Sequence, residues 1–534
     1  MKKTVLFFTA GIVLLLCTAC PGPSNKTTSY EVNINQITRA NAPALQSFAH
    51  ATSGDDWLLF AGRTNKDALI GGIHNLNANY ADSSFIPKSF NTKIYTYNPK
   101  DDTVWSIDYK EVMDGLNAHL SKDKTSEMYA SFEKLEKDST NFTSIFVNSN
   151  PLVTQDNGYL YLVGGYGPKN FTYFQDTPNW HQDTTATDKK KQEYITYDQV
   201  VRLHIASLVK LTKKDSLTDK EWANVFRYDT NTSLVSTGAE VLKMGSTFYV
   251  AGGHDFTSNS QKYLDAVYPF TIKPSDNTLS LGVRVGQPIS DVSDPTDPAA
   301  DNTSIFRRRD GPVTPSIYYN ATENRMEQSL TFYGGVFKPG EDLQAWNNAI
   351  YVHPDWATQN KLYTYDTSYN QDNFNVYACG NFVGLDNDSN LLHTFLLGGI
   401  GDGKPSSALS GFTNTGLHVT MDVKKQPLHS VIKDTLHNVF GNTSSFYGAE
   451  SILIKSESNV LSKAPHQVNG NTVQENTEII DLKASFRVSD TTTITIGHIY
   501  GGIEAFESNP GTYGQGKSAA SNKIWEVTLT KKEE

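Results

Sequence analysis

The segment Phe306-Arg307-Arg308-Arg309-Asp310-Gly311-Pro312 sets three guanidinium groups side by side in a chain whose net charge is −11. Guanidinium groups grip carboxylates through paired N–H bonds. The run therefore predicts recognition of an acidic sugar or another carboxylate ligand, with pairing to acids on neighbouring loops as the other outcome open to it. His254, Asp255, Trp346, His353 and Glu504 are the remaining side chains placed to do chemistry. Histidine, carboxylate and tryptophan on one rim suit carbohydrate binding or general acid/base work. The expected ligand-binding set is Arg307, Arg308, Arg309, Asp310, His254, Trp346 and His353. Were the protein an enzyme, the expected catalytic set is Glu504, Asp255 and Arg308. His393 and His498 fall inside apolar strands and read as structural.

Other chemistries lack their residues. The histidines do not have close His-x-x-x-His spacing, no thiol pairs with Cys379 and no EF-hand loop occurs, so no metal site is expected. Neither a Gly-rich phosphate loop opening a helix nor a Gly-x-Ser-x-Gly elbow is present, and no cofactor is expected.

Short apolar runs ending in glycine must position these side chains. They are Trp57-Leu-Leu-Phe-Ala-Gly62, Tyr159-Leu-Tyr-Leu-Val-Gly-Gly165, Phe248-Tyr-Val-Ala-Gly-Gly253, Leu330-Thr-Phe-Tyr-Gly-Gly335, Thr394-Phe-Leu-Leu-Gly-Gly399 and Ile496-Gly-His-Ile-Tyr-Gly-Gly502. Each is aromatic and β-branched, the composition of a buried strand, and glycine at its end permits a sharp turn and close backbone approach. After most of them comes a second, alternating strand. Examples are Lys93-Ile-Tyr-Thr-Tyr-Asn-Pro99, Val200-Val-Arg-Leu-His-Ile205, Ala266-Val-Tyr-Pro-Phe-Thr-Ile272, Asn348-Ala-Ile-Tyr-Val352 and Lys523-Ile-Trp-Glu-Val-Thr-Leu529.

This succession resembles the kelch repeat, in which a strand ending in Gly-Gly precedes an aromatic strand and a polar turn. The resemblance implies an all-β fold, a six-bladed kelch-like β-propeller over residues 30–534. Successive final glycines lie 103, 88, 82, 64 and 103 residues apart, against about 50 for a kelch blade, so most blades carry long insertions. Tyr109 to Lys137 has helical spacing, while Asp183 to Gln192 and Pro288 to Thr303 read as polar loops. The stretch from Lys424 to Glu475 has no clear place; extra strands around Ser445 to Lys455 and a further partial blade stay open. Tyr30-Glu-Val-Asn-Ile-Asn35 alternates, and pairing it with Lys523–Leu529 would close the ring and remove a free sheet edge.

Kelch-type enzymes offer two comparisons. A copper site like that of galactose oxidase needs a Cys-Tyr crosslink and two histidines, and no such set surrounds Cys379 in its strand Val376-Tyr-Ala-Cys379. N-acetylneuraminate epimerases are exported six-bladed kelch proteins that use a carboxylate and an arginine. Glu504 or Asp255 with one of Arg307, Arg308 and Arg309 would imitate that pair. Arg39-Ala-Asn-Ala-Pro43 stands before the first blade as the arginine run stands before the fourth, which suggests that an Arg…Pro approach is partly a feature of the repeat.

The first residues carry an address. Lys2 and Lys3 precede an apolar run from Val5 to Leu16, and small residues follow, a secretory signal over residues 1–19 that is short for a bilayer span. Thr18-Ala-Cys20 resembles a bacterial lipobox, with Cys17 where leucine is usual. The resemblance implies lipidation of Cys20, a flexible tether over residues 20–29, and attachment to the outer membrane. The tail after Cys20 lacks an acidic cluster resembling a surface-export signal, which implies the periplasmic face. Without its signal the chain carries a net charge of −13, which argues against nucleic acid and anionic lipid headgroups as partners. Only Cys379 then remains as a thiol, so no internal disulfide forms. The leading expectation is a non-enzymatic, membrane-tethered binding module that presents propeller loops to a carbohydrate or protein partner. The alternative is a sugar-processing enzyme such as a sialic-acid epimerase or mutarotase.

Overall fold

Each Gly-terminated run forms the second strand of an antiparallel sheet, and six such sheets make the blades of a β-propeller. The structure is a computed structural model. It describes residues 28–533 apart from 66–72, 74–86, 172–192, 258–259, 294–302, 337, 340–344, 355–361, 372–373, 402–410, 457–466, 469–470, 473–477 and 509–516. Cys20, the expected secretory signal and the loop expected from Asp183 to Gln192 lie outside these residues, as does most of the loop expected from Pro288 to Thr303.

Blade 1 runs Ala49–Ser53, Asp56–Phe60, Lys93–Asn98 and Thr103–Asp108 from the axis outward. Blade 2 follows as Leu152–Asp156, Tyr159–Val163, Gln199–His204 and Phe226–Thr230. In blade 3, Glu240–Met244, Thr247–Ala251 and Ala266–Thr271 are edged by the short strands Arg284–Val285 and Ile289–Ser290. Blade 4 comprises Val313–Asn320, Arg325–Tyr333, Ala349–Val352 and Tyr363–Asp366. Blade 5 comprises Gly380–Asp386, Leu391–Leu397, Gly416–Asp422 and Ser430–Leu436, and Ile479–Asp481 adds to it in parallel beside the innermost strand. Blade 6 comprises Ile452–Lys455, Thr493–Tyr500, Ile524–Glu533 and, outermost, Thr28–Ile37.

The two chain ends therefore close the ring as expected. Thr28–Ile37 lies antiparallel to Ile524–Glu533 with Val32 opposite Leu529 and Ile34 opposite Val527, and the strand starts two residues ahead of Tyr30. Tyr30, Val32 and Ile34 pack on the core that holds Trp525, Val527 and Leu529. The stretch after Lys424 is divided between the outer strand of blade 5 and the innermost strand of blade 6. The described residues form no additional blade.

Packing between blades explains why glycine ends the second strand. Gly252 has φ +78°, and a Cβ there would sit 2.8 Å from the carbonyl oxygen of Arg308, at the head of the next blade. Gly501 in blade 6 (φ +69°) faces the Leu45 carbonyl at the head of blade 1 in the same way, 2.9 Å from where its Cβ would be. Only a residue without Cβ permits the left-handed backbone and this approach together.

Each chain connection from a second to a third strand, and from one blade to the next, lies at the Gly-Gly end of the propeller, because innermost strands run away from that end and second strands return to it. Several long insertions emerge there. Tyr109–Leu120 and Glu127–Lys137 realise the helical spacing. Asp108 caps the first in a capping box with Glu111, and Val112, Met113, Leu116 and Leu120 form its buried stripe. Together with Ile205–Thr212 these helices fill the outer wedge between blades 1 and 2. Among the described residues no helix is long and apolar enough to cross a membrane.

Candidate functional site

Just ahead of the six innermost strands stand Ser47, Asn150, Gly238, Asp310, Ala378 and Glu450, one from each blade. All but Ala378 have left-handed φ, between +49° and +63°. Hydrogen bonds link them around the axis. Asn150 N donates to Ser47 O at 3.0 Å, Asp310 N to Gly238 O at 2.8 Å, Ala378 N to Asp310 O at 2.5 Å and Glu450 N to Ala378 O at 2.9 Å. Side chains complete the circle: Thr237 Oγ1 donates to Asn150 O at 3.2 Å, and Ser47 Oγ donates to Glu450 Oε2. Left-handed backbone at non-glycine residues costs energy and persists where surrounding structure imposes it, often at functional sites.

Charged and aromatic side chains from all six blades gather on this ring. Glu450 Oε2 accepts from Gln46 Nε2 and Ser47 Oγ, and its Oε1 accepts from the Tyr377 hydroxyl at 3.0 Å. Arg63, 2% exposed, directly follows Gly62. Burial lowers its guanidinium to about 10, opposed by the nearby Glu450, Tyr377, Tyr194 and Tyr166. Arg309 Nε lies 3.3 Å from Asp310 Oδ2, and Arg309 Nη1 lies 3.1 Å from His254 Nε2. The Gln261 amide nitrogen, which can only donate, lies 2.7 Å from His254 Nδ1 and so meets that nitrogen as an acceptor. Burial, then Arg309, holds His254 far below the usual histidine range. Burial pushes Asp310 up to about 6; Arg309 opposes this and Glu450 adds to it.

The outer part of the ring is two-sided. Positions immediately after the glycines hold Arg63, Tyr166 and His254 in blades 1 to 3, but Val336, Ile400 and Ile503 in blades 4 to 6. The second group joins Phe412, Phe446 and Tyr377 in one apolar cluster.

The sequence-derived residues separate here. Arg309, Asp310 and His254 meet at the ring. Their neighbours turn elsewhere. The Arg308 side chain is committed to backbone carbonyls of its own blade. Its Nε donates to Ile305 O at 2.9 Å and its Nη1 to Gly334 O and Asn348 O at 2.8 and 2.7 Å, while burial lowers it to about 9. Arg307 lies over the Tyr263 ring, 4.0 Å from its centre. Trp346 is buried beneath Arg308 and donates from Nε1 to Arg307 O at 2.8 Å, so it supports the arginine run instead of presenting a sugar-stacking face.

His353 is fully buried beyond the far end of Ala349–Val352, down the blade from the Gly-Gly end. It packs on Tyr318, and burial lowers it to about 3. Asp255 alternates away from His254 on its hairpin and lies opposite Lys262; burial raises its carboxyl and Lys262 lowers it. Glu504 accepts from the Tyr447 hydroxyl at 2.9 Å, outside the Arg63–Glu450 group. Arg39 is not the blade 1 counterpart of Arg309, a place taken by Gln46; it donates to Pro99 O in a turn of blade 1. His393 and His498 are held in strands as expected.

Arg63, Tyr377 and Glu450 were not singled out in the sequence. The sequence signal for Arg63 is its place directly after a blade's glycine, the place His254 holds in blade 3. Glu450 lies within Ser445 to Lys455, where the sequence leaves extra strands open, and its offset from the blade 6 strand becomes visible only once Ile452–Lys455 is in place. Among the described residues no group of three or more His, Cys, Asp and Glu side chains is arranged to hold a metal ion.

No protein-family model matches the chain, and no curated protein matches it significantly. Among solved structures, that of YjhT is similar at 13% identity with a TM-score of 0.38, over 72% of this chain and 84% of that one. A likeness of that strength says nothing about the site, whose chemistry rests on the residues at the ring. The chain's architecture is that of a six-bladed β-propeller closed by its own two ends.

Proposed function

We propose that the mature protein is a membrane-tethered binding propeller, lipidated at Cys20, that takes an acidic carbohydrate on its Gly-Gly face. The observation that carries this reading is the convergence of Arg63, Arg309 and His254 with Tyr166, Tyr194 and Tyr377 at the axis. Guanidinium groups in a desolvated setting suit a carboxylate, and tyrosines offer ring faces with hydroxyl tips to a sugar. The resemblance to kelch repeats supports the same use of the loops. Chain direction supports the tether. Thr28 pairs with Glu533 at the end of the blade remote from the glycines, so a lipid ahead of Thr28 leaves the Gly-Gly face pointing away from the bilayer.

One observation favours a second reading, an acidic-sugar epimerase or mutarotase. Asp310, pushed up to about 6, holds or releases a proton near neutral pH beside Arg309. In that reading Asp310 and Glu450, not Glu504 and Asp255, exchange the proton.

A glycan and monosaccharide array tests the first reading, with NMR of anomer interconversion on every hit. Binding of carboxylate sugars that is lost in Arg63→Ala and Arg309→Ala supports it. Interconversion abolished by Asp310→Asn replaces it with the enzyme. Capture of a protein partner with no sugar response rejects both. Palmitate labelling lost in Cys20→Ser tests the tether, and protease shaving of intact cells tests the periplasmic placement.

A further inference from the structure

Beneath the ring a well of about 420 Å³ runs along the axis, lined by residues of all six innermost strands. Asp156, Asn157, Lys455 and Glu478 stand at its outer end, on the face of the short inner turns. His50, Glu240 and Cys379 stand at its inner end, where the strands leave the ring. The Arg63–Glu450 group lies on the other side of that ring.

Charge in the well is matched except at one place. Asp156 is 3.0 Å from Lys243, and Glu478 is 2.5 Å from Lys455. Among the described residues no hydrogen bond or ion pair reaches the Glu240 carboxyl, and burial alone pushes it up to about 7. The groups around it supply no compensating cation. Burial holds His50 down to about 4, with Glu478 opposing and Lys455 adding a smaller effect, and His50 Nδ1 has no hydrogen-bond partner. Burial raises the Cys379 thiol to about 12. Glu240 is part-exposed, so its carboxyl opens onto the well, and a cation beside it there stabilises the charged form.

We infer that this well is a second binding site, taking a small primary ammonium whose charge pairs with Glu240. An ammonium fits the walls better than a metal ion does. It needs only a few acceptors for its three N–H donors; Asn381 lines the well with Glu240, while Gln155 Oε1 is already held by Thr52 N at 2.8 Å. Val153, Val241 and Val313 provide apolar wall for a short alkyl group. A bare metal ion needs four or more converging ligands, and no such group is present among the described residues.

The test is calorimetric titration of the intact protein with methylammonium, alongside carbon NMR of the glutamate carboxyls. Saturable binding is expected at about millimolar concentration, tightening roughly tenfold per pH unit up to about pH 7 and then levelling as Glu240 finishes ionising. Glu240→Gln is expected to weaken it by about tenfold or more, and tetramethylammonium, which has no N–H donor, not to compete. In the unsubstituted protein, saturating methylammonium should lower the Glu240 titration midpoint, a readout that does not depend on how the variant folds. Absent binding, equal binding by folded Glu240→Gln, or an unmoved midpoint each overturns the inference. Arg63→Ala should leave this binding intact, which separates the well from the Gly-Gly face.

Discussion

The Tyr377 hydroxyl donates to Glu450 Oε1 at 3.0 Å, joining the head of blade 5 to the head of blade 6 at the propeller axis. Gln46 and Ser47 of blade 1 hold the other oxygen of the same carboxylate. One side chain thus links three blades beside the buried Arg63.

Charge at Glu450 should set the proton affinity of Asp310. Burial raises the Asp310 carboxyl to about 6, Arg309 opposes that shift and Glu450 adds to it. Carboxyl NMR titration should therefore show a lower Asp310 midpoint in Glu450→Gln and a higher one in Arg309→Gln. Tyr377→Phe removes one donor and is expected to cost about 1–2 kcal/mol in denaturant unfolding.

Adjacent arginines should behave differently. Arg308 binds carbonyls of Ile305, Gly334 and Asn348 from within the blade 4 head, so Arg308→Ala strips partners from buried acceptors and should destabilise by about 3 kcal/mol or more. Arg309→Ala should cost less stability than Arg308→Ala, because Asp310 can take up a proton in place of its partner, and should reduce binding of carboxylate sugars strongly. Melting curves and array titrations on the two variants decide between a structural and a ligand-facing role for each.

Stability should pass through a maximum near neutral pH. Burial holds His50, His393 and His498 at about 4 and His353 and His418 at about 3. Below about pH 6.5 the unfolded chain binds more protons at these sites than the folded one, so stability falls as pH drops. Glu240 works in the opposite sense. Its folded value of about 7 exceeds the unfolded value, so the stabilisation present in acid is lost as pH rises to 7. Unfolding of Glu240→Gln should match the unsubstituted protein near pH 4 and exceed it by about 3 kcal/mol at pH 8.

Closure of the ring should depend on residues 28–37 and not on those before them. Removing residues 28–37 uncovers the edge of Ile524–Glu533 and exposes Trp525, Val527 and Leu529. That variant should melt earlier and associate through its open edge, whereas deletion of residues 1–27 should leave the melt unchanged. Calorimetry with light scattering distinguishes the two.

Much of this fold was legible because a blade is a local object. Trp57–Gly62 and its five counterparts record the second strand directly, and the alternation in Tyr30–Asn35 records its edge position. Legibility failed where the repeat is worn. Gly416–Asp422 of blade 5 carries no aromatic signature in Leu-His-Val-Thr-Met, and the innermost strand of blade 6 falls within Ser445 to Lys455, where the sequence leaves strands open without placing them in a blade. Arg307, Arg308 and Arg309 look equivalent in one dimension. Backbone turning toward the left-handed Asp310 sends one onto Tyr263, one into carbonyl groups and one to His254.

Sequence alone determined the count of blades, their order and the pairing of the two ends, since period-two strands and terminal glycines are local demands of sheet packing. Only the tertiary structure decided which side chains share the axis. Arg63, Tyr377 and Glu450 come from blades 1, 5 and 6, and they meet because ring closure brings the last blade against the first. The arginine run is sorted between neighbouring blades, with Arg309 facing His254 of blade 3 and Arg308 held by carbonyls at the head of blade 4. Adjacency around an axis is set by closure of the whole ring, and no local pattern encodes it.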